Sequence, residues 1–285
     1  MVRRGYLFII NVIVCFTGLS PAYGSEVSFD VVTSPVQTKK NTDPKHTAIE
    51  ISAYIKTCRA FRFKSGSIVP DLSQNQTCHS NPNAIDLVAE FGTNFAQLNL
   101  TGFDLENVVF DGADLRGAIL SGTNLKGASL KNARLQHSIL QGTSLQGANL
   151  RGAVLDSANL QGANLQGAYL RGASIRGALL HGAYLVEADL VDTNFQDALL
   201  IGANLSKADM YHAHLQRTDL SGANLEGADL EGSNLYRASL MGANLQGTNL
   251  NQAQLSEIHS DNILKFSEAK SPRDMAGADN DVSAQ

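Results

Sequence analysis

The side chains able to do chemistry in this chain are few and scattered. Seven histidines occur, His46, His79, His137, His181, His212, His214 and His259. None forms the pair four apart on a helix, with an adjoining glutamate, that a zinc hydrolase uses. His212 and His214 flank Ala213 and have no further ligands at metal spacing, so they read as outward-facing surface residues. Cys78 and His79 are adjacent but lack the second ligand pair of a zinc site. Asp or Asn recurs one residue before the periodic leucine, where a short side chain bonds nearby backbone. No two of them pair as general acid and base. The glycines, 25 of 285 residues, follow a fixed period and lack the strand-to-helix setting of a phosphate-binding loop. These residues predict no enzyme, no metal and no cofactor.

The frame that carries them is a five-residue period. From Phe95 to Leu255 a large apolar residue occupies every fifth position, 33 in succession, and 28 of these are Leu; the others are Phe95, Phe110, Ile175, Phe195 and Met210. Two residues before each stands a second periodic position, Ala in 22 cases and Thr or Ser in eight. Two residues after each, glycine is the commonest occupant. An apolar pair two apart lies on one face of an extended chain, and the fifth residue must turn the chain, where glycine tolerates positive φ. A helix is excluded, because a five-residue step advances 140° and scatters the leucines around the axis. Heptads are absent, which excludes a coiled coil.

Three units as they stand are Ala223-Asn224-Leu225-Glu226-Gly227, Ala228-Asp229-Leu230-Glu231-Gly232 and Ala243-Asn244-Leu245-Gln246-Gly247. They resemble the pentapeptide-repeat family, whose pattern is Ala-(Asp/Asn)-Leu-x-x. The resemblance implies an all-β solenoid, a right-handed quadrilateral β-helix with four repeats per coil. On that geometry 33 repeats make about eight coils and, at ~4.8 Å per rung, a rod on the order of 40 Å long. Some members of that family act on type II topoisomerases as acidic mimics of a DNA duplex.

Outside the repeat the chain changes character several times. Residues 1–24 carry Arg3 and Arg4, an apolar run from Tyr6 to Leu19 and then Ser20-Pro21-Ala22-Tyr23-Gly24, the layout of a secretory signal peptide. The run is shorter than the ~20 residues of a membrane span, so cleavage after Gly24 and no remaining membrane span are predicted. The mature charge becomes 20 basic minus 27 acidic, or −7, which aids solubility and argues against broad nucleic-acid binding. Cleavage also removes Cys15, and the two remaining cysteines of an exported chain, Cys58 and Cys78, predict one disulfide. The destination is the periplasm or the exterior. Residues 25–45 read as a polar linker and 46–92 as an N-terminal capping segment. Within that cap, parts of His46 to Phe63 fit helix or strand, and Ala84 to Val88 fits a short helix entering the solenoid. The repeat is assigned to 93–257, a C-terminal cap with Ile258, Ile263, Leu264 and Phe266 to 258–270, and a disordered tail to 271–285.

With chemistry absent, function must lie in the outward positions. The leading expectation is a structural or protein-binding scaffold, with an unknown protein partner or self-association; the alternative is the DNA-mimic role implied by the resemblance. Counting by 20, Asp189, Asp209 and Asp229 share one outward column, and Lys131, Arg151 and Arg171 share another. Ile119, Ile139, Leu179 and Leu199 share a third, interrupted by Asn159, with Ile201 beside it. Exposed apolar stripes tend to mark contacts. Leu179, Leu199 and Ile201 are therefore the candidate protein-binding residues, while Ile119 and Ile139 lie near enough to the N-terminal cap to be covered by it.

Overall fold

The computed structural model describes residues 92–260 without a break, together with 6–9, 12–15, 31–32, 48, 51–52 and 85–88. Two compact units divide the chain, Met1–Ser73 and Gln74–Gln285. In the first, β1 (Tyr6–Ile9), β2 (Val12–Cys15) and β3 (Val31–Val32) form an antiparallel sheet in the order β1-β2-β3. β3 lies within the stretch read as linker. Ala48, Ile51 and Ser52 are helical and Ile51 is buried, which settles at these residues a choice the sequence leaves open. Cys58, Cys78, Ile263, Leu264, Phe266 and the tail lie outside the described residues.

The second unit is a right-handed quadrilateral β-helix. Each outward residue before a central Leu bridges in parallel to the residue 20 further on, from Asn94↔Asp114 to Ser239↔His259. Four repeats per coil is therefore observed directly. Every coil has four short extended sides, named here first to fourth in chain order. The first is centred on Phe95, Leu115 and their successors, the second on Leu100 and Leu120, the third on Leu105 and Leu125, the fourth on Phe110 and Leu130.

The backbone explains the period. The central residue and the corner residue both donate to carbonyls of the next coil, as in Leu120 N to Ile139 O (2.7 Å) and Gly122 N to Gln141 O (3.0 Å). The inward small residue closes the turn by donating three residues back, as Thr123 N does to Leu120 O (3.1 Å). Every fifth residue from Gly92 to Glu257 has positive φ. Twenty of these corners are glycine and fourteen are not, including Asn107, His137, Asp197 and Arg217. Left-handed conformation costs an L-residue ~1–2 kcal/mol, so fourteen such corners imply that the inter-coil ladder imposes this conformation wherever the corner falls.

All 33 central residues are buried, each apolar side chain contributing ~1.5–3 kcal/mol on burial. Seven of the eight inward Thr and Ser are buried too, Thr93 in the first coil being exposed, and the buried hydroxyls are satisfied. Thr123, Thr143, Thr193, Thr218 and Thr248 donate to carbonyls 23 residues back, in the preceding coil, at 2.7–2.9 Å. Ser138 and Ser233 donate three residues back at 2.7 Å.

Both ends differ from the sequence expectation. At the N-terminal end β4 (Ile85–Asp86) pairs in parallel with β5 (Val108–Val109), so these two residues form a strand where a helix was expected. The helical turn starts at Leu87, and Gly92 N donates to Val88 O at 2.9 Å. The physical reason is the open edge of the first coil, whose unpaired backbone a strand satisfies and a helix does not. Leu98 and Val108 fill the small inward positions there, and Phe95 meets Phe110 edge-on at 5.1 Å. At the C-terminal end the repeat continues past the expected residue 257 to Ser260, the last residue of the described stretch. Ile258 takes a small inward position, and His259 N donates to Ala238 O at 2.9 Å.

Candidate functional site

The outward side chains of each coil are the residues on either side of the central Leu and the corner residue after them. Asp and Asn before the Leu act locally first: their Oδ1 accepts the backbone N–H two residues on, as at Asn159 (from Gln161, 3.1 Å), Asp209 (from Tyr211, 3.2 Å) and Asp219 (from Ser221, 2.9 Å). This is the structural role read from the sequence.

The fourth side carries the charge. Tyr169, Asp189, Asp209, Asp229 and Asn249 bridge in succession, so the expected acidic column exists. The basic column beside it leans onto its first member: Arg151 and Arg171 each approach Asp189 Oδ2 at 3.5 Å, and Arg151 also lies 4.8 Å over the Tyr169 ring. Lys131 instead meets Asp111 at 3.5 Å. Asp209 and Asp229 have no ion-pair partner among the described residues; Asp229 accepts from Asn249 Nδ2 at 2.9 Å. Val191, an outward position by sequence, is buried between Arg171 and Tyr211 in its column.

Corner positions hold ion pairs that the columns alone do not reveal. Arg217 grips Asp197 with two bonds of 2.6 and 2.8 Å, and Arg237 meets Glu257 at 2.6 Å. Each pair spans one coil, so opposite charges 20 residues apart were the available signal. Within one repeat, Arg116 pairs with Asp114 at 2.6 Å. The hydrogen bond from the arginine holds each of these three carboxyls, Asp114, Asp197 and Glu257, below the usual carboxylate range.

The second side is different in kind. Its column before the Leu reads Asn99, Ile119, Ile139, Asn159, Leu179, Leu199 and Asp219, each bridged to the next. Beside it run Thr101, Ser121, Gln141, Gln161, His181, Ile201, Ser221 and Met241. No outward residue of this side between Asn99 and Gly202 is charged. Its corner is glycine in every coil, from Gly102 to Gly242. Leu179 and Leu199 are half-buried against each other, and Ile201 is 41% exposed. Ile139 is 38% exposed and Ile119 is half-buried; most of the N-terminal segment expected to cover them lies outside the described residues. The Nε2 of His181 is buried without a hydrogen-bond partner.

Among the described residues no group of three or more His, Cys, Asp or Glu is placed to hold a metal ion, and no helix is long and apolar enough to cross a membrane. His212 sits at a corner, stacked on Tyr211 at 3.9 Å, and His214 is exposed on the first side.

A closed stack of five-residue sides, apolar within and variable without, defines a β-helical repeat solenoid. The chain belongs to the family described as pentapeptide repeats, whose pattern matches residues 91–127, 128–167, 153–190, 163–199, 188–227 and 218–257. Among solved structures it is similar to a pentapeptide repeat protein, Rfr23, from the cyanobacterium Cyanothece 51142. Identity there is 36% over 35% of this chain and 64% of that one, less than two thirds of its length, with a TM-score of 0.31. It is similar also to HetL, involved in heterocyst differentiation regulation in the cyanobacterium Nostoc sp. strain PCC 7120, at 34% identity over 58% of this chain and 86% of that one, TM-score 0.21. A third is QnrB1, a plasmid-mediated fluoroquinolone resistance protein, at 22% identity over 66% and 96%, TM-score 0.37. No curated protein gives a significant match.

Proposed function

We propose that the protein is a non-enzymatic, exported scaffold that binds protein through the second side of its β-helix. The observation that carries this reading is the uncharged aliphatic stripe of Ile119, Ile139, Leu179, Leu199 and Ile201 beside a corner without side chains. A rigid, uncharged face of this kind has the composition of a contact surface. Changing Leu179 and Leu199 together to Lys tests it. Unaltered circular dichroism with loss of association, to itself or to another protein crosslinked in the native compartment, is the expected result. Unchanged association in that variant overturns the reading. Export rests on the leader-like residues 1–24; its cleavage removes β1 and β2. Mass spectrometry of native material should find Ser25 at the terminus and no free thiol at Cys58 or Cys78.

One observation favours the second reading, a DNA mimic: Asp189, Asp209 and Asp229 form a continuous acidic ladder on the fourth side. Arg151 and Arg171 on the same side reduce its field. A topoisomerase supercoiling assay with no inhibition at micromolar protein eliminates that version.

A further inference from the structure

We infer that the occupant of the second side is a second copy of this chain, packed antiparallel about a two-fold axis through Asn159. This rests on the protein-binding reading above and gives the partner an identity. The ground for it is the order of side chains along the face. A two-fold axis lying in the interface, perpendicular to the rod, reverses the order of coils and sets each column against itself. With the axis at Asn159, Ile139 of one copy meets Leu179 of the other, and Ile119 meets Leu199. Asn159 meets Asn159 and Gln161 meets Gln161. Further out, Asn99 meets Asp219 and Thr101 meets Ser221. The column before the Leu is a palindrome in chemistry, aliphatic against aliphatic and amide against amide or carboxylate; in the column beside it Ile201 meets Ser121, and no like charges are opposed.

Other arrangements lose this match. Moving the axis by half a coil pairs Asn159 with Leu179, which strands an amide against an aliphatic chain. A two-fold parallel to the rod sets Ile139 against Gln141 and Leu179 against His181. The central asparagine thus fixes register, as a single buried Asn does in a coiled coil. It is free to do so, since among the described residues its Oδ1 accepts only from Gln161 N and its Nδ2 has no partner. His181 stands opposite Gln141 of the second copy, and its unpartnered Nε2 can turn toward that amide about the soft χ2 torsion.

The remaining surface directs copies to this face. The chain carries a net charge of −5, so approach through the acidic half of the fourth side is repulsive. At the second-side corner a Cβ added to Gly122, Gly142, Gly162, Gly182 or Gly202 would meet nothing within 4 Å, so no side chain holds a partner off. Seven coils at ~4.8 Å and a width of three extended residues give roughly 350 Å² per copy. That is less than half of the ~800 Å² per partner of a standard interface, the size of a weak, transient contact, so the dimer is expected to depend on concentration.

Sedimentation of the purified chain between ~1 and ~100 µM should show a monomer–dimer equilibrium, weakened by at least about tenfold in the Leu179→Lys/Leu199→Lys variant. Asn159→Cys should give a covalent dimer on oxidation, above the background of the parent chain. Ile119→Cys and Leu199→Cys should crosslink when mixed but not singly, because like positions lie about four coils apart, ~19 Å. If Asn159→Cys melts early, Gln161→Cys on the same axis replaces it. A parent chain that stays monomeric throughout, or a dimer in which neither axis cysteine crosslinks, overturns the inference. In either case the protein-binding reading stands if the lysine variant loses a different partner, and falls with the dimer if it loses none.

Discussion

The second and fourth sides of this β-helix share one backbone, one core and one hydrogen-bond ladder, yet they present opposite surfaces. On the second, aliphatic and amide side chains alternate above an unbroken run of corner glycines. On the fourth, Arg151 and Arg171 reach along the rod to Asp189, while Asp209 and Asp229 continue the ladder without a cation. The inward residues cannot produce this difference, since Leu and Ala recur on both sides alike. The solenoid separates stability from surface identity: two positions in five hold the fold, and the other three are free to vary. That separation lets one rod carry both a self-complementary apolar face and a charge-graded one.

The sharpest way to break the comparison is to strike what the two sides share. Leu165 lies in the core on the third side, with Leu145 and Leu185 one coil away. Leu165→Asp buries an unpartnered charge and should cost more than about 4 kcal/mol. A wild-type melting temperature in that variant would refute a common core supporting all four sides.

The corners come next. Gly182→Ala on the second side meets open space, so only its positive φ opposes the change, about 1 kcal/mol. Gly232→Ala on the fourth side drives its Cβ into the His212 imidazole, which is stacked on Tyr211. Denaturant melts should therefore rank Gly232→Ala below Gly182→Ala; equal losses would show that corner neighbours do not matter.

Acid should act on the arginine-paired carboxylates of the first side and leave the aliphatic stretch of the second untouched. Asp114, Asp197 and Glu257 have folded pKa values below the ordinary ones. Their contribution is therefore present above about pH 4 and lost as pH falls through the lowered values. The groups are largely exposed, so the loss is modest. Thermal melts from pH 6 downward, at values spaced about one unit apart, should show a decline that is shallower in Arg217→Ala. An identical slope in that variant would detach Asp197 from the effect.

The smallest effect separates members of the acidic ladder. Asp209→Asn removes like-charge repulsion with no cation to lose, and should raise stability by a few tenths of a kcal/mol. Asp189→Asn forfeits two arginine contacts and should not. Matching shifts from the two variants would mean that Arg151 and Arg171 do not engage Asp189 in solution.

Much of the fold was legible because the period is local. Leu115 and Ala113 point inward for the same steric reason in every repeat. The corner after Gly117 could be placed from glycine alone. The non-glycine corners at Asp197 and Arg217 could not, because the inter-coil ladder rather than residue preference imposes their φ. The strand at Ile85–Asp86 and the continuation through Ile258 and His259 escaped the pattern for a related reason. Both are drawn into the sheet by an open edge that the five-residue pattern does not describe. The apolar stripe and the acidic ladder were readable once a 20-residue coil was assumed, but the burial of Val191 and the tilt of Arg151 onto Asp189 were not.

By itself the sequence determined which side chains point inward and the five-residue spacing of the turns, since alternation is settled within five residues. The tertiary structure decided the length of the coil, because nothing inside one repeat states how many sides close a turn. From that length follows every contact between coils: Arg217 with Asp197, Thr123 with the Leu100 carbonyl, Leu179 with Leu199. Those contacts join residues 18 to 38 apart, and only the closed hydrogen-bond ladder brings such distances down to a few ångströms.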